Sequence, residues 1–329
     1  MNQVAKSRGK MSIAFSGCGW LTPFHLGVLE GLRQNNLLDN FEYFAGTSGG
    51  SLAALIACTT RDFNGNMQIT KRLSRDMKFF TNIDSGLRSQ IGEQIGSDDV
   101  AVACSDKLQV VISRVWPLAQ RKCLIVSKFS TVADVVDAVS ASCFIPLYSA
   151  RRLTTRLGSR SDADGFGPTS APAQAPLLYS PLLHETEQHF VHDSRLNGGD
   201  VVVDGFALGG ILPPVGRVCV SPFPRRVFAW EGRGRMPDIT LELAKGRSED
   251  ISVGGKGGSP AGAGGRNYSL GELLYRALIP GGPEIIQYLF DDGQRACEAW
   301  LAMPDVEGEG GLPNRVHIQT GGCHTNCNV

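Results

Sequence analysis

Residues 44–50, Phe-Ala-Gly-Thr-Ser-Gly-Gly, constrain this chain more than any other stretch. An apolar, strand-like run leads into Gly46, and residues 51–58 (SLAALIAC) read as a buried helix. A serine on so sharp a strand-to-helix turn has its hydroxyl pushed out of the packed core. The small neighbours Gly46, Thr47, Gly49 and Gly50 let the turn close and a substrate approach Ser48. Five letters alone fit a plain tight turn equally well. What flanks them decides for a nucleophilic serine.

Upstream, residues 11–17 (MSIAFSG) form a short apolar strand ending in glycine. Thr22 is placed to cap a helix with Pro23 at its first position. That helix is expected to run to about Arg33, presenting Phe24, Val28, Leu29 and Leu32. A second strand at 41–45 leads to Ser48, so the chain opens as strand, helix, strand, turn, helix. Such an opening argues for an α/β fold with a mostly parallel sheet.

Residues 69–116 read as mainly helical, with loops. KCLIVSKF is a strand candidate, and Thr131 with Asp134 forms a capping box before a helix that buries Val132, Val135, Val136 and Val139. VVVD at 201–204 and RVCVSPF at 217–223 read as buried strands. The stretches 158–176 and 253–265 are too polar or too rich in glycine and proline to pack, and read as mobile loops. Ser269 and Glu272 make a second capping box. Helices near 270–279 and 284–301 follow, apolar at Leu273, Leu274, Ala277, Leu278, Ile285, Leu289, Ala296 and Trp300. They read as a pair covering the core, with a lipid-facing surface on one of them as the alternative.

The turn Ser16-Gly17-Cys18-Gly19 follows the first strand directly. Successive backbone N–H groups there, with the helix start behind them, form a concavity suited to an anion. A nucleotide phosphate would need the third glycine of G-x-G-x-x-G, where Thr22 stands, or a Walker lysine, and neither is present. An oxyanion hole for an acyl intermediate fits better, with Gly17, Cys18 and Gly19 as donors near the nucleophile. Ser48 follows only two strands, too early for an ordinary α/β-hydrolase triad. His317 and His324 lie in a loop-like tail, whereas Asp204 closes the apolar strand VVV and precedes Gly205. A carboxylate at the tip of a buried strand is costly unless satisfied or functional. Beside Ser48 it could take the hydroxyl proton directly, giving a Ser-Asp dyad.

In order and spacing, SIAFSGCGWLTPFHLGVLEGL, FAGTSGG, ASCFIPLYS and VVVDGF resemble the patatin-like phospholipase family. They look most like its animal branch, which contains adipose triglyceride lipase and adiponutrin. The likeness extends through VCVSPFPR to the helical end, so it implies a family domain over 10–303 and a C-terminal tail over 304–329. It implies a three-layer α/β/α fold and hydrolysis of fatty acyl esters in glycerolipids, with Ser48 as nucleophile, Asp204 as aspartate and 17–19 as oxyanion turn. Transacylation to another glycerolipid is the variant, and a lipid-binding or regulatory member of the fold the alternative. Two positions depart from the family pattern: Thr22 replaces a glycine, and Asp204-Gly205-Phe206 replaces Asp-Gly-Gly or Asp-Gly-Ala.

Composition narrows the partners. Lys+Arg 32 balances Asp+Glu 32, so nothing global attracts nucleic acid. No apolar run approaches the ~18 residues of a membrane span, and MNQVAKSRGK lacks a signal-peptide core. Nine scattered cysteines fit thiols in a reducing compartment. The expectation is a cytoplasmic enzyme associated peripherally with membranes or lipid droplets, with a coactivator protein left open. No cofactor or metal is expected. His184, His189 and His192 sit in a polar segment, and Cys323, His324 and Cys327 lack a fourth ligand nearby. Lys71, Arg72, Arg75 and Lys78 fall at helical spacing and read as a solvated face or a contact for anionic headgroups.

Overall fold

In the computed structural model, the structure is described over residues 11–76, 82–116, 122–150, 155–156, 201–205, 210–229, 236–244 and 268–303. The stretches 158–176 and 253–265, the 184–192 histidines, the tail histidines and cysteines, Lys78 and Phe206 lie outside them.

The strand-helix-strand opening folds as expected. Strand β1 (Met11–Phe15) pairs in parallel with β2 (Phe41–Thr47), with α1 (Thr22–Gln34) between them in the chain. Strand β1 stops at Phe15 because the next two amides leave the ladder with β2: Ser16 N–H donates to Val220 O and Gly17 N–H to Ile211 O. Helix α2 (Gly49–Cys58) follows Ser48, then α3 (Phe63–Leu73), α4 (Ile83–Ile95) and α5 (Asp98–Cys104).

Residues 108–116, expected within a mainly helical stretch, form instead the longest strand, β3 (Leu108–Trp116). Leu108, Val110, Val111 and Ile112 are wholly buried, and Ser113 and Arg114 nearly so. A strand covered on both faces shows no alternation, so its run of apolar residues carries no period that separates it from a helix.

Strand β3 organises the rest. It pairs in parallel with β2 over Leu108 to Val111, and antiparallel with β4 (Lys122–Val126) over Val110 to Arg114. Strand β6 (Val201–Asp204), flanked by the short β5 (Thr155–Arg156), pairs antiparallel with β3 from Ile112 to Trp116. A strand has two edges, and β4 overlaps both β2 and β6 in register. So β4 fills one edge, while β2 and β6 share the other, end to end. Thr47 lies opposite Val111 and Asp204 opposite Ile112, adjacent positions on β3. Beyond β1 come β7 (Val218–Ser221) and β8 (Ile239–Thr240), both parallel, completing eight strands. The result is a mixed, mostly parallel sheet in a three-layer α/β/α arrangement.

Helix α6 (Val132–Ser142) starts at the expected capping box: Thr131 Oγ1 accepts from Asp134 N–H at 3.2 Å, and the Asp134 carboxylate from Thr131 N–H at 2.9 Å. Short helices α7 (Arg225–Ala229) and α8 (Leu241–Ala244) precede the C-terminal pair, α9 (Leu270–Leu278) and α10 (Pro283–Leu301). Ser269 Oγ accepts from Glu272 N–H at 3.1 Å, as its cap position requires.

Helix α10 packs along α1 with the two backbones in contact. A Cβ on Gly27 would stand 2.0 Å from Phe290 O, and one on Gly293 2.2 Å from Phe24 O. Only glycine permits this crossing. Beneath it, His25 is fully buried, its ring 5.3 Å from that of Phe15 and 6.1 Å from that of Phe24. Nε2–H donates to Ser16 O at 3.1 Å, which fixes the tautomer because a carbonyl only accepts. Burial pushes the imidazole down to about 3, outweighing the Ser16 carbonyl.

Gly293→Ala should separate the helices and destabilise the domain by about 1–3 kcal/mol, read from the urea midpoint at unchanged m-value. His25 stays neutral in the fold and protonates near 6.5 once unfolded. Its contribution is therefore complete above pH 6.5 and lost as pH falls from there towards 3. Urea titrations across that window should show a slope of up to about 1.4 kcal/mol per pH unit that His25→Gln removes. An equal slope in the variant would assign the acid sensitivity elsewhere.

Candidate active site

The meeting of β2 and β6 fixes what faces what. At the end of β2 the backbone reverses at Ser48, with φ 53° and ψ −129°, a strained conformation for a residue with a side chain. Gly46 and Gly50 make the reversal possible, since a Cβ on Gly46 would lie 2.3 Å from Gly50 O. Ser48 occupies the N-cap of α2, yet its side chain makes no capping hydrogen bond. Ser48 lines a cavity.

Asp204 arrives from the opposite direction at the same level, and is 6% exposed. Its N–H donates to Phe144 O at 2.9 Å, and Gly205 N–H to Ser142 O at 3.4 Å. A Cβ on Gly205 would meet Thr47 Cγ2 at 3.0 Å and Val111 O at 2.3 Å, so this chain end abuts the β2 end directly. The structure thus brings the Ser48 turn and Asp204 together, although Ser48 Oγ hydrogen-bonds to none of the described residues. Apo sites often close such bonds only around substrate.

Ser142 holds both ends. Its hydroxyl donates to Val111 O at 2.7 Å and accepts from Ser48 N–H at 2.9 Å, while its carbonyl receives Gly205 N–H. Ser113 adds a bond from its hydroxyl to Gly205 O at 3.0 Å. Sequence reasoning singled out ASCFIPLYS without finding this role for Ser142. Nothing in the sequence separates it from Ser140, the other hydroxyl on the same last turn.

The glycine turn lies alongside. A Cβ on Gly17 would stand 3.6 Å from Ser48 Cβ. The three expected donors reduce to two: Gly17 N–H is taken by Ile211 O at 2.7 Å. Cys18 and Gly19 N–H have no such acceptor among the described residues and remain available. Thr22 does not cap α1. Leu21 holds the N-cap position, and Thr22 is the first helical residue because a 3₁₀ turn, Gly19–Leu21, runs straight into the helix. Its hydroxyl donates to Gly19 O at 2.7 Å and is directed also to Gly49 O at 3.3 Å, tying the glycine turn to the start of α2.

Two thiols stand near the site. Burial first, and then the charge of Asp204, pushes the Cys18 thiol up to about 12, partly opposed by Thr22. Cys143 is likewise raised by burial and by Asp204. Both are protonated, and so unreactive as thiolates, at neutral pH.

The cavity beside Ser48 encloses about 360 Å³. Its walls are apolar, with Leu26, Leu52, Ile56, Ile69, Leu73 and Leu87 among them. It runs along α2, whose ten residues span about 15 Å. The far rim, at Thr60, Asp62 and Glu93, is polar and exposed. Among the described residues no helix is long and apolar enough to cross a membrane.

Comparison with known proteins falls on the same residues. The family model for patatin-like phospholipase matches residues 13–97, which include the glycine turn and Ser48 but not Asp204. The mouse protein "1-acylglycerol-3-phosphate O-acyltransferase Pnpla3" is 31% identical over 189 residues, 54% of this chain and 45% of that protein. The mouse "Omega-hydroxyceramide transacylase" is 29% identical over 165 residues, covering 47% and 27% of the two chains. Human "Patatin-like phospholipase domain-containing protein 4" is 25% identical over 165 residues, covering 46% and 62%. The matched stretches span less than two thirds of each relative's own length. Residues 13–97 thus match the patatin-like phospholipase domain, and over about half of its length the chain is similar to adiponutrin-type members of that family.

Proposed function

We propose that this domain is a lipid acyl hydrolase acting on fatty acyl esters of glycerolipids through Ser48 and Asp204. The observation that carries the reading is the end-to-end meeting of β2 and β6, which sets a strained, uncapped serine beside a buried carboxylate at an apolar cavity. Cys18 and Gly19 N–H, with Gly49 N–H at the first turn of α2, polarise the ester carbonyl. Ser48 Oγ attacks the carbonyl carbon as its proton passes to Asp204. The tetrahedral intermediate collapses, the glycerolipid alkoxide leaves with that proton, and an acyl-enzyme remains. Water then attacks with Asp204 again as base, releasing the fatty acid and restoring Ser48. The acyl chain lies in the cavity along α2.

A second reading is transfer of the acyl group to an alcohol in place of water. It is favoured by relatives named as an acyltransferase and a transacylase. Product analysis with and without a partial glyceride acceptor separates the two. Either chemistry takes place at a membrane or lipid-droplet surface to which the domain binds peripherally.

Ser48→Ala should lower ester turnover by about 10³-fold or more with an unchanged melting temperature, and Asp204→Asn nearly as much. A fluorophosphonate probe should label the wild type and not Ser48→Ala. Turnover within tenfold of wild type in either variant would overturn the dyad. Thr22→Val keeps the side-chain shape but removes the tie between Gly19 and Gly49. It should lower kcat by about 10- to 10²-fold across ester lengths, with KM little changed, and Thr22→Ser should restore it. An unchanged kcat would show that the turn is held without the hydroxyl.

A further inference from the structure

Among the described residues, eight large apolar side chains are exposed, and five of them lie on α9, just past its end, or beside the Tyr148 that bonds to it: Leu147, Leu274, Tyr275, Leu278 and Ile279. Leu147, at 69% exposure, is the most open of all. Single exposed apolar residues need no explanation, but a cluster does. Helix α9 buries Leu273 and turns Leu274, Tyr275 and Leu278 outward. This cluster borders the mouth of the Ser48 cavity. Trp20, Tyr148 and Ala277 line the cavity, and the outward residues Leu147 and Leu278 are their chain neighbours. The rim is tied together: Trp20 Nε1–H donates to Tyr148 Oη at 2.9 Å, and Tyr148 Oη–H to Leu278 O. The α9 backbone also touches the glycine turn, since a Cβ on Gly19 would fall 2.0 Å from Ala277 O.

The chemistry of the rim suits one occupant. Within 274–279 the only charged side chain is Arg276, its guanidinium 5.5 Å from the Tyr275 ring centre. Leu73, the last residue of α3, lines the same cavity as Ala277, and Arg72 and Arg75, just before and just after it, are exposed, while Lys71 Nζ–H donates to Gln287 Oε1 at 2.6 Å. Apolar and aromatic side chains with a basic border match the headgroup region of an anionic phospholipid surface. A protein seated there would close the cavity mouth. A lipid surface covers the face and supplies the substrate together.

We propose that the outer face of α9, with Leu147 beside it, docks on an anionic phospholipid surface and holds the cavity mouth against it. The purpose of this docking rests on the acyl-hydrolase reading, but binding is measured apart from turnover. The test is flotation of the full chain with vesicles of phosphatidylcholine, with and without phosphatidylserine. Leu274→Ser with Leu278→Ser should weaken partitioning to both vesicles by at least about tenfold. Arg72→Gln with Arg75→Gln should remove mainly the salt-sensitive gain from phosphatidylserine. Melting temperature and turnover of a soluble short-chain ester should stay at wild-type values in both. Partitioning equal to wild type in the leucine variant overturns the proposal. So does a shift from dimer to monomer in that variant, which would assign the face to a second copy. A lowered melting temperature with unchanged partitioning would assign it to a segment of the same chain. Patch-dependent flotation by a chain that hydrolyses no ester would leave the docking standing and sink the hydrolase.

Discussion

The site depends on two strands that run towards each other along one edge of a third. Strand β3 outlasts β2 by five residues, and β6 fills the remaining edge from the opposite direction. Neither chain end can continue, because each is blocked by the other, so both leave the sheet at once. One leaves at Ser48 and the other at Gly205, which brings the Ser48 turn and the end of β6 at Asp204 to the same stretch of the β3 edge. Ser142 fills the seam, satisfying an amide from one end and a carbonyl on β3 with a single hydroxyl, and an amide of the other end with its own carbonyl. Buried polar groups at a broken ladder are costly unless paired. Here the repair of the ladder is also what sets the geometry of the site.

Electrostatics then sorts the candidates that this packing brings together. Cys143 lines the cavity with Ser48 and Cys18 lies against Gly49, but burial and the charge of Asp204 keep their protons on. His25, nine residues from Ser16 in sequence, is an obvious base by residue type. Burial pushes it down to about 3, too weak a base to take a serine proton, and its Nε2–H is held by the Ser16 carbonyl. The proposed pair, the strained serine and the carboxylate, has no imidazole between its members among the described residues.

The sequence disclosed the parts of this arrangement that are local. The β1-α1-β2 opening, the Ser48 turn and the Thr131 box are each set by contacts within a few residues, and each has a signature in spacing and residue type. What escaped is set by distant contacts. Strand β3 hides because burial on both faces erases its alternation. The antiparallel approach of β6 cannot be read from VVVD, since four buried residues carry no direction. Thr22 looked like a cap because Thr-Pro is a helix-start pair, but a 3₁₀ turn carried the helix start back past it. Its hydroxyl became a donor to carbonyls instead of an acceptor of an amide. Gly17 looked like a donor for the same reason: nothing nearby reveals that Ile211, far along the chain, takes its N–H.

The glycine crossing of α1 and α10 has a bearing on how the domain comes into being. Helix α1 carries the glycine turn at its head and is made well before α10, which ends at Leu301. A growing chain therefore presents Phe24, Val28 and the groove at Gly27 bare until nearly all of the described domain has left the ribosome. Contacts of such long separation are slow to form, and an uncovered apolar helix is a site for misassociation. During that interval the nascent domain depends on whatever shields α1, and premature termination anywhere before α10 yields a chain that cannot shield itself.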